Sequence, residues 1–211
     1  MGMIKSKVVT LSFIICMLLT GCGNEQMNLK DAQAVSIMCE KQSGSGVIYE
    51  ATDEHVVIVT AAHVVEGAET AKVIWGTDAE EAASISDMVI VSGLDLAFLR
   101  MENAATQWSV RQGVKEMERT DAGEVSLRGR GSSGELQDAS GNISGEWVYV
   151  EDFGCHMTIV KAEASPGMSG GGVFDSAGEF LGIICGMDED NNVAILPASV
   201  ISSEYDVIVW E

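Results

Sequence analysis

An all-β fold, closed into barrels or stacked as a sandwich, is what this 211-residue sequence predicts. Three observations carry that reading. Short β-branched runs bounded by Gly, Asp or Ser recur along the chain. Glycine is abundant at 23 residues and proline scarce at 2, a balance that favours strands joined by tight turns. No apolar period of 3.6 persists, except over Pro197–Glu204 near the C-terminus. With 46% apolar and 21% charged residues, the chain can fill one sizeable core, or two small ones that share an interface.

The first element is an address. Met1–Lys7 carries Lys5 and Lys7 and no acid, and Val8–Thr20 is a short, mostly apolar run. That is the layout of a signal peptide, and the run falls short of the roughly 20 residues that a spanning helix needs. Leu19-Thr20-Gly21-Cys22 follows and resembles the bacterial lipobox. The resemblance implies cleavage before Cys22 and a lipid, palmitate among its chains, on the mature N-terminus. The protein would then sit at the cell membrane, lipid-anchored on the extracytoplasmic side, because two or more acyl chains hold a protein stably on a bilayer. An ordinary signal peptide or an uncleaved anchor is the alternative. Residues 1–21 are thus the expected signal peptide, 22–33 the lipidated cysteine and a polar tether, and 34–205 the folded domain.

Strands are expected at Ala34–Cys39, Gly46–Glu50, Val56–Thr60, Ala71–Trp75, Met88–Ser92 and Leu96–Met101. Asn103–Arg119 is weakly patterned and reads as the connection between two halves, about 34–104 and 121–205. Strands resume at Glu124–Leu127, Glu146–Tyr149, Cys155–Val160, Gly172–Phe174, Phe180–Cys185 and Val193–Leu196. Gly129–Gly145, rich in Gly and Ser, reads as a long loop, and Asp175-Ser176-Ala177-Gly178 as a hairpin turn between two apolar runs. Many short strands with little helix place the chain among barrels and sandwiches.

Charge and cysteines narrow the partners. A net charge of −20 repels nucleic acid phosphates, so a nucleic acid partner is not expected. The acidity serves solubility or attracts cationic polypeptides. Cys16 lies in the expected signal and Cys22 takes the lipid, which leaves Cys39, Cys155 and Cys185 as buried free thiols or as one bridge and one free thiol. None forms a C-x-x-C pair, so no metal site is expected. Asp188-Glu189-Asp190-Asn191-Asn192 lacks the Gly and the Glu that a calcium loop needs downstream, and reads as a solvated acidic turn. His55 sits in a polar turn and is expected to be exposed; His156, beside Cys155 in a strand, is expected to pack rather than react.

Three motifs carry chemistry. Thr60-Ala61-Ala62-His63 follows a strand directly. Asp95-Leu96-Ala97-Phe98-Leu99 sets an acid at the opening of an apolar strand, with Asp87 as its competitor. Pro166-Gly167-Met168-Ser169-Gly170-Gly171 sets a serine among glycines. A serine hydroxyl is a poor nucleophile until a base stands within hydrogen-bond reach. Histidine, with its ordinary pKa of about 6.5, takes and returns a proton near neutrality, and a buried carboxylate fixes its tautomer. In the order His, Asp, Ser, the chain here resembles the trypsin-like, chymotrypsin-fold serine peptidases, and most closely their bacterial HtrA/Deg-type branch. Ser45-Gly46-Val47-Ile48, Leu181-Gly182-Ile183 and Val193-Ala194-Ile195-Leu196-Pro197 extend the likeness over roughly residues 34–201.

The resemblance implies two six-stranded antiparallel β-barrels with the active site between them. It implies an endopeptidase that works through an acyl-enzyme on polypeptide substrates without a cofactor, in envelope protein processing or quality control. His63 would be the base, Asp95 its partner and Ser169 the nucleophile, with the backbone amides of Gly167 and Ser169 as oxyanion donors. It also implies a primary pocket walled by Ile183, Ile184, Cys185 and Gly186 and by Glu163–Pro166, where Glu163 would favour a basic residue. One departure stands out. The family usually carries Asp or Asn before the nucleophile, and here it is Met168, which can accept no salt bridge from a buried N-terminus. The alternative reading is a catalytically silent envelope lipoprotein that binds peptides in the same cleft.

Overall fold

Strand β3 (His55–Thr60, sequence HVVIVT) sets the plan of the molecule, because both of its faces are buried. Side chains alternate across a strand. Val56 and Ile58 enter one core with Val35, Ile37, Leu99 and Met101. Val57 and Val59 enter another with Phe98, Phe174, Phe180 and Leu196. The second cluster draws on both ends of the chain, so β3 lies between the core of the first half and a layer shared by the two halves. The computed structural model describes residues 34–74, 82–102, 110–111, 123–130 and 134–210. The lipobox with Cys22, the polar tether and most of the expected connection at 103–119 lie outside the described residues.

The first half contains β1 (Val35–Cys39), β2 (Ser43–Ala51), β3, the one-turn helix α1 (Ala62–Val65), β4 (Ala71–Ile74), β5 (Ala82–Ser84), β6 (Asp87–Ile90), β7 (Ala97–Glu102) and the short β8 (Val110–Arg111). Its sheet runs β5-β4-β1-β2-β3-β7-β6, with β8 on β2. The two ends of that path, β5 and β6, are consecutive in the chain. Between them the Ile85 amide donates to Ala71 O at 3.4 Å and the Ser86 amide to Arg100 O at 2.8 Å. The ends are therefore one bent strand, and the curved sheet is a half-barrel of six strands drawn together by the bend.

The second half contains β9 (Glu124–Arg130), β10 (Leu136–Val150), β11 (Cys155–Ala162), β12 (Gly172–Phe174), β13 (Phe180–Met187), β14 (Asn192–Pro197) and α2 (Ala198–Tyr205). These six strands close into a barrel in the order β10-β11-β14-β13-β12-β9. Val125, Leu127, Val160, Val173, Leu181 and Ile195 fill it, and α2 caps the shared layer with Ala198 and Ile201. The expected all-β fold of two six-stranded antiparallel sheets is present, one a closed barrel and one a half-barrel.

Two sequence expectations are corrected here. Most of Gly129–Gly145 is strand: β10 starts at Leu136 and pairs with β9 and β11 on its two sides. A Cβ on Gly141 would lie 2.7 Å from Ala162 Cβ and 2.7 Å from a Val160 methyl, so the glycine is there for close strand packing. His55 is not fully exposed. Its ring is held at 3.1 Å from Glu50 Oε1 and 3.3 Å from the Thr52 hydroxyl. The hairpin turn forms as the residues dictate, with Asp175 Oδ1 accepting the amides of Ala177 and Glu179 and Gly178 at φ +83°.

Candidate active site

His63 and Asp95 meet at one end of the half-barrel. β3 stops at Thr60, Ala61 is extended, and α1 turns His63 out over the loop between β6 and β7 that carries Asp95. That loop is pinched shut by the Val91 amide on Leu96 O at 2.9 Å. The Asp95 carboxylate then grips His63 twice. Oδ1 accepts the His63 backbone N–H at 2.9 Å, and Oδ2 stands 2.9 Å from Nδ1. With Nδ1–H donated to Asp95, Nε2 is left with the free lone pair a base requires. The Asp95 side chain is 11% exposed and that of His63 is 45% exposed. The hydrogen bond to Asp95 raises the His63 pKa above its ordinary value, burial opposes it, and the charges of Asp95 and Glu66 add to the rise. Asp87, the competing acid, spends Oδ1 on the adjacent Met88 amide at 2.8 Å.

The closed barrel contributes a loop. Between β11 and β12 the chain turns twice, with the Met168 amide on Ser165 O at 3.1 Å and the Gly171 amide on Met168 O at 2.9 Å. Gly167 at φ +94° and Gly170 at φ +81° occupy backbone regions that side-chain-bearing residues avoid. The amides of Gly167 and Ser169 donate to no other described residue. The loop is pressed against the half-barrel. A Cβ on Gly170 would fall 2.1 Å from Ser45 O and 2.2 Å from Thr60 Oγ1, three residues before His63. A Cβ on Gly44 would meet both Val64, next to His63, and Ser169 O. Absence of side chains at these two positions thus lets the Ser169 loop pack against Ser45, Thr60 and Val64, the segments that flank His63. Among the described residues no hydrogen bond joins the Ser169 hydroxyl to His63; such contacts are often loose without substrate. Met168 is 1% exposed and sits in the barrel core, its sulfur accepting the Ser165 amide at 3.3 Å.

Comparison with known families matches the trypsin-like peptidase domain over residues 44–183. The chain belongs to that family. Among solved structures, the peptidase domain is similar to the Rv3671c protease from M. tuberculosis. Its active form has a TM-score of 0.69 and 19% identity over 87% of this chain and 83% of that one. Its inactive form gives 0.68 and 19% over 86% and 91%. The MamO protease domain from Magnetospirillum magneticum gives 0.62 and 20% over 82% and 96%. These likenesses show the fold. A comparison with curated protein sequences finds no match.

The remaining residues of interest in the peptidase domain fall into place around this frame. An open groove of about 780 Å³ runs past His63 and Asp95, lined among others by Glu66, Ile90, Leu94 and Phe153. Sequence reasoning missed these lining residues, because they come from loops and a strand end of both halves and carry no motif. Of the expected pocket walls, Ile183 and Cys185 are buried in the shared layer, Ile184 is buried in the barrel core, and Gly186 is half-buried. Glu163 is exposed and lines a separate groove with Asp138, Ser140, Lys161 and Asn191, away from His63. Cys185 lies behind the acid, its sulfur 3.7 Å from Asp95 O. Cys39, Cys155 and Cys185 are free thiols, and burial pushes all three above the ordinary thiol value. His156 stacks on Trp147 with ring centroids 5.2 Å apart. Asp188 Oδ1 accepts the amides of Asp190 and Asn192 within its own turn.

Proposed function

We propose that this peptidase domain is a serine endopeptidase with Ser169 as nucleophile, His63 as general base and acid, and Asp95 as the partner that orients the imidazole. The observation that carries the reading is the double grip of Asp95 on His63. It fixes both the backbone and the ring, and it leaves Nε2 to accept a proton. In the first half-reaction His63 takes the Ser169 proton while Oγ bonds to the scissile carbonyl carbon. The carbonyl oxygen becomes an oxyanion, which the amides of Gly167 and Ser169 stabilise. His63 then returns the proton to the leaving amine and the C–N bond breaks. Water repeats the sequence on the acyl-enzyme and frees Ser169. No step calls for a cofactor.

The uncharged, buried Met168 supports a domain that needs no activating cut, since an N-terminal ammonium buried beside it would lack a partner. The HtrA/Deg-type motifs and the lipobox around Cys22 support a place at the outer side of the cell membrane, with envelope polypeptides as substrates. Cys22→Ser abolishes lipid labelling and processing on this reading; unchanged labelling refutes the anchor. A fluorophosphonate probe tests the chemistry. It reacts with the wild-type protein, and peptide mass mapping finds the adduct on Ser169. A protein that stays unlabelled is the silent peptide-binding lipoprotein instead.

A further inference from the structure

We propose that Ser45 is a positioning residue for the peptide-bond chemistry proposed above, and that its hydroxyl holds the loop of Gly167 in the form that presents oxyanion donors. The proposal rests on that reading of the site. Ser45 lies in β2 between two glycines and is fully buried. Four hydrogen bonds converge on it. Its amide donates to Ser169 O at 2.8 Å, and its carbonyl accepts the Thr60 hydroxyl at 2.7 Å. Its own hydroxyl oxygen accepts the Arg130 amide at 2.7 Å. A hydroxyl has a single hydrogen to give. Gly167 O stands at 2.7 Å and Arg130 O at 3.3 Å, so the shorter contact takes it.

One residue of the half-barrel therefore joins the end of β3 to the loop of Gly167 and Ser169. Through Thr60 it reaches the end of β3, which leads into His63. Its amide fixes the carbonyl of the nucleophile, and its hydroxyl fixes the peptide plane between Gly167 and Met168. That plane is pinned from the other side by the buried Met168 side chain. Gly167, at φ +94°, has no Cβ to restrict its rotation, and its peptide plane is held on the N–H edge by the Met168 amide on Ser165 O at 3.1 Å. The Ser45 hydroxyl clamps the carbonyl edge of that plane at 2.7 Å, and the two holds together keep the Gly167 amide from swinging away. The order Arg130 N–H to Ser45 O–H to Gly167 O makes each bond polarise the next. Arg130 is itself anchored, with Nε on Ala34 O at 2.9 Å and Nη1 on Gly134 O at 3.1 Å.

Ser45→Ala removes the clamp and leaves His63 and Asp95 untouched. The labelling rate of a fluorophosphonate, whose phosphoryl oxygen occupies the oxyanion site, is expected to fall by about 10²–10³, the loss that follows removal of one oxyanion donor. The pH midpoint of labelling stays at the wild-type value, because it belongs to His63. Ser45→Thr, which keeps the hydroxyl, labels within about tenfold of wild type. A labelling rate for Ser45→Ala within threefold of wild type overturns the proposal. A shifted pH midpoint, or Ser45→Thr as slow as Ser45→Ala, does the same. If Ser45→Ala does not fold, as read by thermal melting, the bond serves the fold and the positioning role is overturned. A wild-type protein that is not labelled at Ser169 defeats the peptidase reading first, before any Ser45 variant is made.

Discussion

The half-barrel and the closed barrel contribute to the site in different materials. The half-barrel supplies side chains: an imidazole and a carboxylate locked 2.9 Å apart by loops at the ends of β3 and β6. The closed barrel supplies one hydroxyl and otherwise backbone, in a loop whose glycines at 167 and 170 hold positive φ. Side-chain geometry is protected by hydrogen bonds to a 11%-exposed acid. Backbone geometry is protected by the absence of Cβ atoms and by contacts that the other half provides. The lesson is that neither half holds the candidate site by itself. Damage to the first should change proton transfer, and damage to the second should change how charge on the substrate is received.

The most severe test of this division is Ser169→Ala, which is expected to lower turnover of a peptide substrate by about 10⁶. Adding His63→Ala is expected to cost little more, since in the proposed mechanism nucleophile and base act as a unit across the two halves. Multiplying losses would mean that the halves work independently. Asp95→Asn comes next, with a loss of about 10⁴ from a mis-set imidazole tautomer.

Asp95→Asn also sharpens the comparison through pH. The Asp95 hydrogen bond raises the His63 pKa, so the acid limb of the rate profile lies above the ordinary histidine value. Activity is lost as pH falls through that raised value, because imidazolium accepts no proton. Stability runs the other way. A raised pKa means that the charged His63–Asp95 pair favours the fold below the unfolded value of about 6.5, and this contribution is lost as pH rises through the folded value. Over that window the wild type gains activity while its melting temperature declines slightly. In Asp95→Asn the limb moves to lower pH and the decline disappears. An unmoved limb would separate Asp95 from His63.

Two glycines with nearly the same backbone probe the closed barrel. Gly170→Ala meets Ser45 O and the Thr60 hydroxyl at hard-contact distance on top of a φ of +81°. Overpacking and left-handed strain together cost roughly 2–5 kcal/mol, and activity falls with the loop. Gly178→Ala, at φ +83° in the β12–β13 turn, meets nothing within 4 Å. Only the strain of about 1–2 kcal/mol remains, a melting shift of a few degrees for a domain of this size, and activity per folded molecule is unchanged. Equal effects of the two changes would show that the halves do not press on each other at Gly170.

Much of this was legible in the sequence where one strand carries its own signal. The β-branched run at Val56–Thr60, the Asp175–Gly178 turn and the helix from Ala198 all form where local chemistry placed them. What escaped was decided by partners far along the chain. β10 forms through Gly and Ser because β9 and β11 flank it, and no local preference announces that. β5, three residues long, owes its existence to β4. At the candidate site, motifs singled out His63, Asp95 and Ser169, of which the structure joins His63 to Asp95 by hydrogen bonds, whereas the groove past His63 is assembled from Ile90, Leu94 and Phe153 by tertiary packing alone. Glu163, which the resemblance assigned to a primary pocket, lines a groove with Asp138, Lys161 and Asn191, neighbours that no motif announces.

The bend at Ile85–Ser86 has a dynamic consequence. The closed barrel is held all round by ladders, whereas at this bend the strand passes from its ladder with β4 to its ladder with β7 and is held by one amide bond to each side, the first at 3.4 Å. Proteins open locally with free energies far below that of global unfolding where such bonds are few. Amide deuterium uptake is therefore expected first at Ile85–Ile90, well before Val193–Leu196 in the closed barrel. The loop carrying Asp95 begins at the end of β6, so each such opening lets the carboxylate drift from the imidazole while the other half stays intact. If His63 and Asp95 act as proposed, activity is expected to decline with temperature before any melting is seen.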